Sequence, residues 1–218
     1  MRLVVLAFVF SLVTASTARA ENQIWTAAFV QARPGPTGIN GWLDLHARRR
    51  PDGMLGIVRP GIGYTFSKLL TAHVGYAYVP NITDAGANRH EQRIWQHVLV
   101  NHAVNDAVKL AGRVRLEQRF GSGDDIGHRL RVQARAQWQP AAELALQLIV
   151  HNELFVGLNN TDWAAKSGYD QNRMFVGVGA DAAIRGVRVE AGYLNVVLAN
   201  DAPVVHAIAV NVVTTLAP

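Results

Sequence analysis

Residues 109–138 read KLAGRVRLEQRFGSGDDIGHRLRVQARAQW, and the alternation within them decides the fold. Lys109, Arg113, Arg115, Glu117 and Arg119 share one parity, while Leu110, Val114, Leu116 and Phe120 share the other. After Gly121-Ser122-Gly123-Asp124-Asp125 the pattern resumes, with Arg129, Arg131, Gln133, Arg135 and Gln137 set against Leu130, Val132, Ala134, Ala136 and Trp138. A period of two is the mark of extended strands whose faces meet different media. Arginine dominates the polar face. Such two-sided strands suit a barrel wall with lipid on one side and a wet, charged interior on the other.

Working outward, strand-like segments fall at 22–32, 39–48, 54–66, 69–79, 91–103, 107–120, 128–138, 141–156, 171–181, 185–198 and 204–215. Turn residues separate them, including Pro34-Gly35-Pro36, Pro51-Asp52-Gly53, Pro80-Asn81, Asn105-Asp106, Gln139-Pro140 and Asn200-Asp201. That makes eleven segments. Single-chain bacterial barrels have even strand numbers, so the expectation is an all-β, up-and-down antiparallel transmembrane barrel of twelve strands, with ten as the fallback. Short connections are expected at 66–69, 102–107, 139–143 and 181–185, and longer ones at 80–90, 121–127 and 157–170. Tyr64, Phe66, Tyr78, Phe120, Trp138, Phe155 and Trp163 gather near segment ends, as interfacial girdles do.

The first twenty residues stand apart. Arg2 opens them, an apolar run follows from Leu3 to Val13, and Ala18-Arg19-Ala20 has the form of a cleavage site. This predicts a signal peptide at 1–20 and a barrel domain at 21–218, exported from the cytoplasm. The formal charge is +5 at pH 7, and Arg2 and Arg19 leave with the signal. The remaining arginines alternate over several strands instead of forming one basic stripe, which argues against nucleic acid. There is no cysteine, so neither disulfides nor thiolate metal sites can form. No later run is long and apolar enough for a membrane helix, which leaves the closed barrel as the way to span a bilayer.

Parity alone does not say which face points inward. A soluble periplasmic barrel of lipocalin type would put the apolar parity inside and the arginines in water. The small apolar residues Ala134, Ala136, Val176 and Ala180 suit a thin lipid-facing surface and tilt the reading to the membrane.

Polar residues concentrate in the later half. Pairing across 121–127 is expected to set Glu117 opposite Arg131 and Arg113 opposite Arg135, with Glu143, Gln147, His151 and Glu153 on the next segment. Arg173 should reach the level of Glu153 and pair with it, and Arg188 and Glu190 form a further opposite-charge pair. The candidate lumen network is therefore Arg113, Arg115, Glu117, Arg119, Arg131, Arg135, His151, Glu153, Arg173, Arg188 and Glu190. A salt-bridged filling is the simpler reading, and an anion-selective lining the sharper one. A lipid hydrolase would need a nucleophile, base and acid in reach. Ser67, Ser122 and Ser167 sit in turns or loops, and His151 with Glu153 fits the charged interior better. No cofactor or metal is expected, since the histidines are scattered and Asp124-Asp125 lacks the ligand count of a calcium loop. Arg48-Arg49-Arg50 reads as a solubilising hairpin end, or as a contact to lipopolysaccharide phosphates.

Five stretches look familiar together: residues 91–97 (EQRIWQH), 115–120 (RLEQRF), 152–159 (NELFVGLN), 169–177 (YDQNRMFVG) and 190–195 (EAGYLN). They resemble a family of bacterial outer-membrane β-barrels known as a domain of unknown function (family 2490). The resemblance implies an outer-membrane barrel and supplies no activity. It implies that Glu91, Arg93, Glu117, Arg119, Glu153, Asp170, Gln171, Asn172 and Arg173 are characteristic of the family. The chain departs from common outer-membrane practice in ending Thr214-Thr215-Leu216-Ala217-Pro218 without a terminal aromatic. The expectation is a non-enzymatic barrel in the outer membrane of a Gram-negative bacterium. Its lumen is narrow and charge-filled, and its partners are outer-membrane lipid, lipopolysaccharide and the barrel assembly machinery.

Overall fold

Period-two patterning makes strands, and every regular element of the computed structural model is one. It describes residues 20–32, 35–86, 88–141, 143, 145–163, 165–200 and 202–216. Residues 1–19 of the expected signal peptide, Pro34 and Asp201 of the expected turns, and Ala217 and Pro218 lie outside the described residues. The strands are β1 (Ala20–Ala32), β2 (Gly38–Arg50), β3 (Gly53–Thr65), β4 (Leu70–Thr83), β5 (Arg89–Ala103), β6 (Val108–Phe120), β7 (Ile126–Trp138), β8 (Leu146–Gly157), β9 (Gly168–Asp181), β10 (Val187–Leu198) and β11 (Val204–Leu216). Each pairs antiparallel with its sequence neighbour, and β1 closes the barrel against β11.

The expectation of twelve strands, or ten, is incorrect: the described residues form eleven. All eleven sequence segments are real strands, and the fault lies in requiring an even number. In an up-and-down barrel with an odd count, the first and last strands run the same way. Their seam must then be parallel. It is, from Ala20 opposite Val204 to Ala32 opposite Leu216. A parallel ladder still satisfies every backbone group through evenly spaced, slanted bonds, and it is only slightly weaker per residue.

The two parities part cleanly. Val58, Ile62, Tyr76, Ile94, Val114, Val132, Leu148, Val176, Ile208 and Val210 lie exposed on the outside. Asp44, Arg59, Arg93, His97, Arg115, Glu117, Arg129, Arg131, Glu153 and Glu190 are buried within. This is the reverse of a lipocalin-type barrel. Two expected girdle members are misplaced, and one of them is Trp163, which lies in a loop over the inward-facing Arg119. Phe155 shares the parity of Glu153 and lies fully buried inside.

Connections 51–52, 84–88, 121–125, 158–167 and 199–203 share one end of the barrel with the start of β1, here the loop end. The opposite turn end carries 33–37, 66–69, 104–107, 139–145 and 182–186. The expected long and short connections thus sort to opposite ends, although only 158–167 is long. The predicted segment 141–156 begins late, at Leu146, and Gln139, Pro140, Ala141 and Glu143 lie in the connection before it.

Candidate functional site

The middle of the lumen is filled from β5 to β8. Glu117 of β6 accepts from Arg129 Nε and Nη2 at 3.0 and 2.7 Å and from Arg131 Nη1 at 2.7 Å. Arg131 also grips Glu153 of β8, its Nε and Nη2 each 3.0 Å from a carboxylate oxygen. Arg113 Nη2 reaches Glu153 at 2.7 Å, skipping over β7. Arg93 and Arg119 share Glu91 at 2.6 and 2.7 Å. These are charge-assisted and partly bidentate bonds, the strong kind. Trp95, Arg115, Glu117 and Phe155 are each 0% exposed, so the midsection is occupied by side chains.

Carboxylates alone do not fill this space. Arg115 lies 4.7 Å over the ring of Trp95 and 2.9 Å from His97 Nδ1. His97 in turn meets His73 at 3.0 Å and packs edge-on against Trp42. Trp95 can lie flat because Gly61 and Gly75 stand in the row beside it. A Cβ at either would come within about 2.6 Å of the indole, far inside contact distance. Arg59 Nη1 and Trp42 Nε1 both donate to the fully buried Asp44, at 2.9 and 3.2 Å.

Several expected partnerships shift. The pairing of β6 with β7 sets Glu117 opposite Arg129, Arg115 opposite Arg131 and Arg113 opposite Gln133. The predicted register was two residues out. A slip of two keeps every side chain on its own face, so patterning cannot detect it; the loop 121–125 decides it instead. Glu153 does face Arg173 in the register, as expected. Their charges are engaged elsewhere, because Arg113 and Arg131 take the carboxylate while Arg173 donates to Gln171 at 3.0 and 2.9 Å. Arg188 pairs with Asp181 at 2.8 Å rather than with Glu190. Glu190 is reached instead by Arg135, 2.5 Å away across the lumen from β7 to β10. His151 stacks on Phe175 with ring centroids 4.9 Å apart, and among the described residues no hydrogen bond joins it to a serine. Ser67 lies in the turn 66–69, while Ser122 and Ser167 lie in loops at the opposite end. Glu143 belongs to the connection 139–145, away from the lumen network.

Asp170 joins the network by an irregularity. The register of β8 with β9 shifts between Phe155 and Val156, so that Gln171 faces Phe155 and Tyr169 faces Val156. The extra residue turns Asp170 inward, 2.9 Å from Arg129 Nη1; bulges re-aim side chains in this way. The described residues of the loop 158–167 then fold over the β6–β8 side of the mouth. Trp163 Nε1 donates to the Asp125 carbonyl at 2.7 Å, and a Cβ on Gly121 would sit 2.2 Å from the indole.

Beside this capped sector lies a cavity of about 460 Å³, bounded by β1–β3, β9–β11 and the rims of β5, β7 and β8. Sequence reasoning missed it. Arg48-Arg49-Arg50 is not a uniformly solvated hairpin end: Arg49 faces outward to Asp84 at 3.4 Å, whereas Arg48 and Arg50 line the cavity. Their shared parity with Trp42 and Asp44 was the available signal. Across from them, β9–β11 supply the apolar cluster of Phe175, Leu194, Val196, Val205, Ala207 and Ala209, with Trp25 of β1 packed against it.

Comparison with known proteins places the chain without giving it an activity. An uncharacterized protein of Methylorubrum extorquens is 36% identical over 141 residues, 64% of this chain and 61% of that protein. The chain therefore matches about three-fifths of that relative's length. No solved structure matches it. The family model described as a protein of unknown function (DUF2490) matches residues 22–206, nearly the whole barrel, and the chain belongs to that family.

Proposed function

We propose that the protein spans the outer membrane of a Gram-negative bacterium as a non-enzymatic barrel whose midsection is held shut by internal ion pairs. The observation that carries this is the outward surface. Along the described strands the outward parity holds no Asp, Glu or Lys, and its single arginine, Arg49, lies one residue from the end of β2. Strands of 12 to 15 residues exceed the roughly 9–11 needed to cross a bilayer. Exposed Tyr64, Phe66 and Trp138 near the turn end, and Tyr78 and Tyr169 nearer the loop end, suit the two interfaces. The loop end faces the medium on this reading and the turn end the periplasm. Export uses the signal peptide, insertion the barrel assembly machinery, and the outer rim meets lipopolysaccharide.

An aqueous channel would leave its lining wet. Here the widest side chains of the midsection are dry and tied to one another. The test is a pair of measurements: membrane fractionation with heat-modifiable gel mobility, and planar-bilayer recording of the purified protein. Recovery in the outer-membrane fraction without steady conductance is expected. Recovery as a soluble periplasmic protein would overturn the membrane reading, and anion-selective steps would replace the closed barrel with a channel.

A further inference from the structure

The cavity at the loop end differs from the filled midsection in what its arginines touch. Arg93, Arg129 and Arg131 reach its edge already engaged by Glu91, Glu117 and Glu153. Arg59 is committed to Asp44, and Arg50 to Asp52 and Asn81. Arg48 and Arg173 are different. Among the described residues neither has a carboxylate within salt-bridge distance. Both guanidinium groups lie instead over Trp25, at 4.0 and 5.1 Å from its ring, and Arg173 also lies 4.3 Å from the ring of Phe155. The buried Nε atoms of Arg48 and Arg59 have no hydrogen-bond partner among the described residues. Glu21 at the rim accepts from Gln23 at 3.2 Å.

Two cations with no carboxylate in salt-bridge distance thus face a space also lined by Ile57, Val196, Leu198 and Val205; Arg173 holds Gln171 through Nε and Nη2, and Arg48 has a buried Nε without a partner. Aromatic faces hold guanidinium groups without consuming their N–H donors, which leaves the donors of Arg48, and the Nη1 of Arg173, for a ligand. A volume of this size falls within the range of small-molecule pockets, and such pockets combine apolar walls with a few convergent polar groups.

We propose that this cavity binds an amphiphilic organic anion, its carboxylate or phosphate head between Arg48 and Arg173 and its hydrocarbon or aryl body against Val196, Leu198 and Val205. A bare inorganic anion would leave the apolar wall uncovered. A neutral amphiphile would leave the two charges without a counter-ion. The head group takes one of two chemical forms, a free carboxylate or a lipid phosphate, and both satisfy the same donors. The proposal concerns the lumen alone and stands apart from whether the barrel conducts.

The full-length protein in lipid nanodiscs would be tested by equilibrium dialysis, with protein-free nanodiscs subtracted. The probes are 4-butylbenzoate, the neutral 4-butylbenzyl alcohol, inorganic phosphate and dihexanoyl phosphatidate. Saturable one-to-one binding of the butylbenzoate or the phosphatidate is expected, and the tighter of the two names the physiological head group. The alcohol and inorganic phosphate should bind about tenfold or more weakly, the scale of a lost charge-assisted contact. Arg48→Gln and Arg173→Gln should each weaken the anionic probe by a similar factor, whereas Arg188→Gln at the turn end should not. Equal binding of alcohol and carboxylate, or absence of saturable binding by either anion, overturns the proposal. Those comparisons use the unmodified protein, so they hold even if a variant fails to fold.

Discussion

Arg131 and Arg48 are the same residue on the same inward face, yet they sit in opposite surroundings. Arg131 spans two glutamates, Glu117 and Glu153, in the filled sector contributed by β5–β8 and reaches the cavity only at its edge. Arg48 lies over an indole beside a cavity, near strands whose inward residues include Leu194, Val196, Val205, Ala207 and Ala209. The difference follows from composition. The strands flanking Arg131, β6 and β8, place Glu117 and Glu153 within its reach, whereas Asp44 on the strand of Arg48 is taken by Arg59 and Glu190 of β10 by Arg135. Arginine fills the lumen where a carboxylate is in reach, and it remains available where the neighbouring wall is apolar.

The largest effect should come from unpairing the filled sector. Glu117→Gln keeps the shape but removes a fully buried carboxylate, leaving Arg129 with Asp170 alone and Arg131 with Glu153 alone. Removing one partner of a buried pair costs about 3–5 kcal/mol. The folded band in a detergent gel should melt at correspondingly lower denaturant. A loss below about 1 kcal/mol, within the range of exposed ion pairs, would mean that the midsection is wet and that the two sectors do not differ.

The contrast also depends on what lies outside the wall. If the outward parity meets lipid, Val132→Arg, at the middle of β7, should cost about 2–4 kcal/mol, while Gln133→Arg on the inward face beside Glu153 should be much milder. Assembly yield and denaturant midpoint in lipid vesicles would report it. Similar tolerance at both positions would place the outer face in water.

Pairing itself can be measured within one residue's surroundings. Glu153 is hydrogen-bonded to Arg131 and merely opposite Arg173 in the ladder. A double-mutant cycle of Glu153→Gln with Arg131→Gln should show coupling of about 1–3 kcal/mol, as expected for direct contacts. The cycle of Glu153→Gln with Arg173→Gln should be additive to within about 0.5 kcal/mol. Equal coupling in the two cycles would show that Arg173 belongs to the filled sector.

Much of this architecture was legible in the sequence because period two is a strong signal. It gives the eleven strands, the membership of each face and the parity of Arg115, Glu117 and Glu153. The register of β6 on β7 was not legible, since a two-residue slip moves no side chain to the other face. The strand count was misjudged by applying a rule about antiparallel closure to a barrel that closes in parallel. Asp170 was hidden by a bulge, which period-two reading passes over. The cavity was invisible for a plainer reason: β1–β3 and β9–β11 meet only when the chain closes. Arg48 and Val205 are far apart in sequence and become neighbours at the seam.

The smallest effect is expected where Arg48 is removed. Arg48→Gln gives up its stacking on Trp25, a contribution of about 0.5–1 kcal/mol for a cation over an aromatic face. It also relieves the repulsion between two unneutralised guanidinium groups held over one ring, and it leaves no carboxylate stranded. The two changes oppose each other, so the denaturant midpoint should move by less than about 0.5 kcal/mol in either direction, as for surface substitutions away from special contacts. A residue that costs little to remove, yet sits partly buried with an idle donor, is kept for something other than folding. A loss of about 2 kcal/mol or more would reverse that inference, making Arg48 a structural filler like Arg131.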